Sequence, residues 1–207
     1  MPVGDRVGRV ERALVCSADS TAVPLPRSAS PSVRFGRKSR RYHPPMSSRL
    51  PALGPRGEGW VAAQFLLFLA IAVAGLRDLW NNGSGNPWGP VASLFGLAAI
   101  AGGGLVAGRA AWDLRASLSP FPRPVAGAPL IESGAYRLIR HPIYSGLVLG
   151  AVGWGMVTGS FLATASAGFL FLLFAGKSRR EEAWLSAAHP DYRAYQQRTK
   201  RFIPWIY

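Results

Sequence analysis

Three short blocks of this chain hold most of the side chains able to do chemistry. The first is Gly134-Ala135-Tyr136-Arg137-Leu138-Ile139-Arg140-His141-Pro142-Ile143-Tyr144-Ser145-Gly146. Proline is tolerated in a helix's first turn, where its missing N–H would be unpaired anyway. The block therefore predicts a helix opening near Pro142, with Arg140 and His141 just ahead of it. The free N–H groups and positive dipole at that end suit an anion such as a carboxylate. A snorkelling arginine and an interfacial histidine that merely anchor a membrane span account for the same pair.

The second block is Lys177-Ser178-Arg179-Arg180-Glu181-Glu182-Ala183-Trp184-Leu185. Adjacent helical positions point about 100° apart, so Glu181 and Glu182 are expected to divide their tasks. One can face a pocket while the other pairs with a nearby arginine such as Arg179 or Arg180. A solvated helix surface with basic neighbours is the plainer alternative. The third block runs from His189-Pro190-Asp191-Tyr192 to Arg201-Phe202-Ile203-Pro204. Tyr192, Tyr195, Thr199 and Phe202 share one helical stripe. The stripe fits an amphipathic helix lying on anionic lipid, or the aromatic wall of a cofactor pocket.

Other features carry less. Gly102-Gly103-Gly104 lies in an apolar run with no preceding strand, so it reads as a helix-packing surface and not as a nucleotide loop. His43, His141 and His189 do not have metal-ligand spacing. Cys16 is the single cysteine, which excludes a disulfide framework or a cysteine-based zinc site.

The elements that must position these blocks follow from composition. The chain has 207 residues, of which 49% are hydrophobic and only 16% charged, yet its formal net charge is +14. A soluble domain averages about 25% charged residues. A basic nucleic-acid binder would carry such a charge on a polar background. Here it points to an apolar membrane protein with basic residues sorted to one side, and no nucleic-acid partner is expected. The preference for Arg over Lys, with abundant Ala, Gly and Pro, suggests a bacterial source with GC-rich coding.

Uncharged stretches run over 60–76, 81–108 and 141–176. A bilayer core of about 30 Å needs about 17–25 apolar residues per helix. The first two stretches each fit one span. The third is too long for one, and Thr158-Gly159-Ser160 near its middle is a turn signal. The expected fold is all-α: an integral-membrane helical bundle with about four transmembrane helices (60–80, 88–110, 143–158 and 160–178), a C-terminal helical hairpin and a polar tail. The loop 109–140 and the tail after 176 hold most of the basic residues outside the leader. By the positive-inside rule these are cytoplasmic, and so are both termini. Trp60, Trp80, Trp88 and Trp112 fall at span ends, as an aromatic belt would.

Residues 1–56 form an Arg- and Ser-rich stretch with too little apolar content for a core. They are read as a disordered basic leader, mis-started or targeting, or else a genuine cytoplasmic tail, with Met46 as an internal alternative start. The functional domain is expected over 57–207.

Taken together, the three blocks resemble the C-terminal half of the isoprenylcysteine carboxyl methyltransferase and phospholipid methyltransferase superfamily, over about residues 112–207. The Gly-x-Tyr-Arg-x-x-Arg-His-Pro-x-Tyr-x-Gly block, the Glu181-Glu182 pair, the Tyr192/Tyr195 spacing and the closing Arg201-Phe202-Ile203-Pro204 carry the likeness. Pro120-Phe121-Pro122-Arg123-Pro124 and Leu130-Ile131-Glu132-Ser133-Gly134 are similar to bacterial members. The resemblance implies an S-adenosylmethionine-dependent methyltransferase of the bacterial plasma membrane. Its cofactor pocket would involve Arg140, His141, Tyr144, Glu181, Glu182, Tyr192 and Tyr195, with no metal. Its acceptor would be a lipophilic small molecule or lipid entering from the bilayer, methylated on a carboxyl, thiol or amine. Two rivals remain. One is an NADPH-dependent sterol-reductase-like enzyme, kept open by the final Pro204-Trp205-Ile206-Tyr207. The other is a non-catalytic membrane adaptor.

Overall fold

The structure is a computed structural model that describes residues 53–83, 85–123 and 127–207. The leader, including Cys16, His43 and Met46, lies outside the described residues up to position 52. Five α-helices follow: α1 (Glu58–Asn82), α2 (Gly89–Leu114), α3 (Pro142–Thr158), α4 (Phe161–Ala188) and α5 (Tyr192–Arg198). Short 3-10 turns at Arg115–Ser117 and Gly134–Arg137 interrupt the segment between α2 and α3.

The helix boundaries have local causes. Pro142 occupies the first turn of α3 and His141 caps it, as the proline predicts. Gly159 ends α3 in the left-handed conformation, at φ 63°, which glycine adopts without a Cβ penalty. Ser160 then accepts a hydrogen bond from the Ala163 N–H at 3.2 Å and opens α4. At the other end of the bundle Gly134 has φ 61°, and the Asp113 carboxylate lies against it while accepting from the Ala135 N–H at 3.1 Å. That contact ties the end of α2 to the segment leading into α3.

Three helices, α1, α2 and α4, are long and apolar enough to cross a membrane, at 25, 26 and 28 residues. With them α3, at 17 residues, is a shorter apolar helix. Phe65, Leu66, Leu69, Leu94, Phe95, Leu105, Phe169 and Leu172 all turn outward and are largely exposed. An apolar exterior over helices of this length supports an integral, multi-pass membrane protein. The interior is built of Ile71 and Ala74 from α1, Ala151 from α3, and Ala163, Ala167, Leu170 and Phe174 from α4, with Phe202 of the tail joining them.

α2 and α3 meet through a different kind of surface. A β-carbon built on Gly96 would lie 2.7 Å from the Gly153 carbonyl oxygen, and one on Gly103 would lie 2.5 Å from that of Gly146. The two pairs sit seven residues apart on each helix and run in opposite directions, so the helices are antiparallel. Backbones approach this closely only where small residues permit it. Within Gly102-Gly103-Gly104 this role falls to Gly103 alone. A β-carbon on either neighbour would meet nothing within 4 Å.

Further bonds close the end away from the three blocks. The Asn86 amide donates to the Met156 and Val157 carbonyls at 2.8 and 3.1 Å. The Trp154 indole N–H donates to Ile71 O at 3.2 Å, where Gly75 leaves room for the ring.

Candidate functional site

The tail returns to the start of α3. Ile139 and Lys200 form an isolated parallel bridge; Arg140 N–H donates to Lys200 O at 2.8 Å and His141 N–H to Arg201 O at 3.0 Å. Ser145 adds a hydroxyl bond to Phe202 O at 2.8 Å. The first and third blocks are thereby locked together, and α4 brings the second against them.

Glu182 is the centre of this junction. Its Oε1 accepts from Arg140 Nε at 2.9 Å and Arg201 Nε at 3.1 Å, and lies 3.2 Å from His141 Nε2. Its Oε2 accepts from Arg201 Nη2 at 2.7 Å and Gln196 Nε2 at 3.3 Å. Arg140 Nη1 also donates to the carbonyls of Gln196 and Thr199. The carboxylate is buried, so this pairing is what makes its charge tolerable. The Arg201 guanidinium is held above its ordinary pKa, chiefly by its hydrogen bonds to Glu182. The expected partner was a neighbour on the same helix; the structure instead supplies Arg140 and Arg201, 42 and 19 positions away.

Glu181 points elsewhere. It lines a cavity of about 330 Å³ at this end of the bundle. Its Oε2 accepts from the Tyr144 hydroxyl at 3.0 Å and lies 3.7 Å from His141 Nδ1. Arg140, His141, Tyr144, Tyr192 and Tyr195 line the same cavity, whereas Glu182 lies behind its wall. The remaining wall is largely apolar and comes from 114–121 and 128–131, with Leu118, Phe121 and Leu130, and from Ile143 and Leu147 of α3. This volume falls within the range of about 300–1,000 Å³ found for small-molecule sites.

The aromatic stripe is buried, but not as one helix. α5 ends at Arg198, and Thr199 and Phe202 follow in the extended return to α3. Of the two alternatives, the stripe does not face a membrane surface: Tyr192 and Tyr195 are buried within α5, and Thr199 and Phe202 are buried where the chain returns to Ile139. Tyr195 donates to Tyr136 O at 2.6 Å. Burial pushes the Tyr195 phenol up to about 12. Burial, reinforced by the Glu182 and Glu181 charges, raises Tyr192 further. Both stay neutral rings at physiological pH. The last residues close on themselves, with the Phe202 and Ile203 N–H groups donating to Tyr207 O at 2.7 Å each.

Two cavity residues, Lys177 and Gln64, are not among the site residues expected from the sequence. Lys177 is 1% exposed and donates to the side-chain oxygen of Gln64 at 2.7 Å. Gln64 is the one hydrogen-bonding side chain among those of the α1 apolar run other than the Trp60 indole, and that polarity was the available signal. Among the described residues, no three His, Cys, Asp or Glu side chains gather as a metal set.

Residues 91–191 match the model of a family described as Phospholipid methyltransferase. The matched stretch covers α2, α3 and α4 and two of the three blocks. The cobalt-zinc-cadmium resistance protein CzcN of Cupriavidus metallidurans is 38% identical over 76 residues, which is 36% of this chain and 35% of that protein. The nickel-cobalt-cadmium resistance protein NccN of Alcaligenes xylosoxydans xylosoxydans is 34% identical over 76 residues, 36% of each. The chain thus aligns with about a third of the length of these curated relatives. Likeness to that family thus extends over residues 91–191 of a multi-pass membrane protein.

Proposed function

We propose that the chain is an S-adenosylmethionine-dependent methyltransferase acting on a lipophilic acceptor at the cytoplasmic face of a bacterial plasma membrane. The observation that carries this reading is one cavity receiving Arg140, His141 and Tyr144 from one block, Glu181 from the second and Tyr192 and Tyr195 from the third. The donor set suits the cofactor. Glu181 offers a carboxylate to its ammonium or ribose hydroxyls. Arg140 and His141 provide a positive edge for its carboxylate, and the tyrosine rings offer π faces to its sulfonium. When bound, the cofactor supplies an activated methyl group. The protein's share is alignment and the exclusion of water.

Glu182 enters this reading as a positioning residue. With its lone pairs taken by Arg140, His141, Arg201 and Gln196, it fixes the Arg-His edge and does not contact a ligand itself. α3, though only 17 residues long, is apolar and packs against both α2 and α4. This supports a four-span arrangement with both termini cytoplasmic. Reporter fusions at Gly85 and at the C-terminus should then fall on opposite sides of the membrane.

The test is a titration of the purified protein in detergent with S-adenosylhomocysteine, S-adenosylmethionine and NADPH. The sulfur ligands should bind, and Glu181→Ala should weaken them by about ten-fold or more, the loss expected for one charge-assisted hydrogen bond. Tight NADPH binding without a response to either sulfur ligand would make the protein reductase-like. No binding of any of the three would favour the adaptor. Transfer of labelled methyl into a lipid extract would identify the acceptor.

A further inference from the structure

We propose that Lys177 is the specificity-determining residue for the acceptor, and that it selects a lipophilic anion, a carboxylate or thiolate, over an amine. The inference rests on the methyltransferase reading of the cavity and adds the charge of the second substrate.

The Lys177 side chain lies almost wholly inside the protein and lines the cavity. An ammonium has three N–H donors. One goes to Gln64 Oε1 at 2.7 Å, and no carboxylate lies within ion-pair distance of Nζ among the described residues. Its other close neighbours are π faces: Nζ lies 5.2 Å from the Tyr144 ring centroid and 5.8 Å from that of Phe174. Ring faces, one amide oxygen and the Glu181 charge one turn along α4, beyond ion-pair distance, leave the shell of this buried cation incomplete. An ionisable group at the end of an apolar span ordinarily snorkels to water or marks a functional site. Lys177 does not snorkel.

Position sets it apart from the cofactor-facing groups other than Tyr144, whose ring it shares with them. Glu181 is four residues further along α4, about 6 Å toward the polar end of the helix. Arg140, His141 and Tyr192 join Glu181 there. Lys177 lies on the inner, apolar side, facing α1 through Gln64 and packed on Phe174, a core residue. An acceptor arriving from the bilayer therefore meets Lys177 with its polar end while its apolar body follows the Leu147 wall. An anion would complete the Lys177 shell; an alkylammonium would place a second cation beside it. In the transfer itself, the anionic oxygen or sulfur gives an electron pair to the methyl carbon. The carbon–sulfur bond of the cofactor breaks with its electrons going to sulfur, and neutral S-adenosylhomocysteine leaves. No proton has to be removed from such an acceptor.

The experiment compares dodecanoate, dodecanol and dodecylamine as ligands of the full-length protein in neutral detergent, by intrinsic tryptophan fluorescence, with and without S-adenosylhomocysteine. Wild type should bind dodecanoate at least about ten-fold more tightly than the alcohol or the amine. Lys177→Met should lose that preference, Lys177→Arg should keep most of it, and neither should change S-adenosylhomocysteine affinity by more than about two-fold. A wild-type preference for the amine, or a carboxylate preference that survives in Lys177→Met, would overturn the inference. So would a loss of S-adenosylhomocysteine binding in Lys177→Met with the carboxylate preference intact, which would move the residue to the cofactor. If the misfolding of Lys177→Met obscures its own result, Gln64→Leu and Lys177→Arg decide: both keep a cation, and both must keep the preference. A wild type that ignores S-adenosylhomocysteine but prefers dodecanoate would sink the methyltransferase reading while leaving the anion selectivity standing.

Discussion

Along α3, one face meets α2 through glycines and bare backbone; just ahead of its first turn, Arg140 and His141 meet α4 and the tail through a buried carboxylate. The first contact is geometric. Nothing is charged, and any added atom is an intrusion. The second is electrostatic, with one acid holding two guanidiniums and an imidazole, and any lost atom leaves a charge without a partner. The contrast shows how a small membrane protein divides its labour. Close packing sets the scaffold where the surroundings are lipid, and paired charge shapes the site where the chain reaches the interface.

The largest effect should come from Glu182→Ala. Removing the acid leaves Arg140 and Arg201 facing each other in a mostly buried place, at an expected cost of about 3–5 kcal/mol. A denaturation midpoint in detergent measures it. Glu182→Gln keeps the shape and should retain most of that loss if charge is what matters; a mild Gln variant would show that packing does the holding. Gly103→Val tests the opposite principle and should cost about 1–3 kcal/mol or more by forcing α2 from α3. Its defect should not respond to salt or pH as the Glu182 defect does. At the turn between α3 and α4, Ser160→Ala removes the cap bond to Ala163 and should cost about 1 kcal/mol. The smallest change is Gly102→Ala, one residue from Gly103 but facing open space. Removing a helical glycine there should be neutral or stabilising, by up to about 1 kcal/mol. Equal damage from Gly102→Ala and Gly103→Ala would erase the distinction between seam and surface.

The bundle was legible in the sequence because its signals are local. Uncharged runs mark the helices, Thr158-Gly159-Ser160 marks the turn, and Pro142 marks the start of α3. The division of Glu181 from Glu182 was legible too, since adjacent helical positions diverge. The partners of Glu182 were not. Arg179 and Arg180 are near in sequence, but the acid's oxygens point across to Arg140 and Arg201, and only the tertiary return of the tail brings Arg201 there. The same return ended the aromatic stripe's helix at Arg198, a stop that helical periodicity does not contain. Lys177 read as an ordinary basic flank because its burial depends on Gln64, 113 positions earlier. The glycine seam was half visible: Gly102-Gly103-Gly104 marked the region, while the pairing of 96 with 153 and of 103 with 146 needed both helices.

The bridge between Ile139 and Lys200 has a consequence for the order of assembly. Among the described residues the apolar helices α1 to α4 all end before Tyr192, so they can insert and pack before residues 192–202 have been made. Through that interval Glu182 has Arg140 but not Arg201 or Gln196, and the cavity lacks its Tyr192 and Tyr195 wall. Synthesis of residues 192–202 is therefore also the step that completes the site. A nascent chain halted before Tyr192 would hold a packed bundle whose cavity still lacks its Tyr192 and Tyr195 wall.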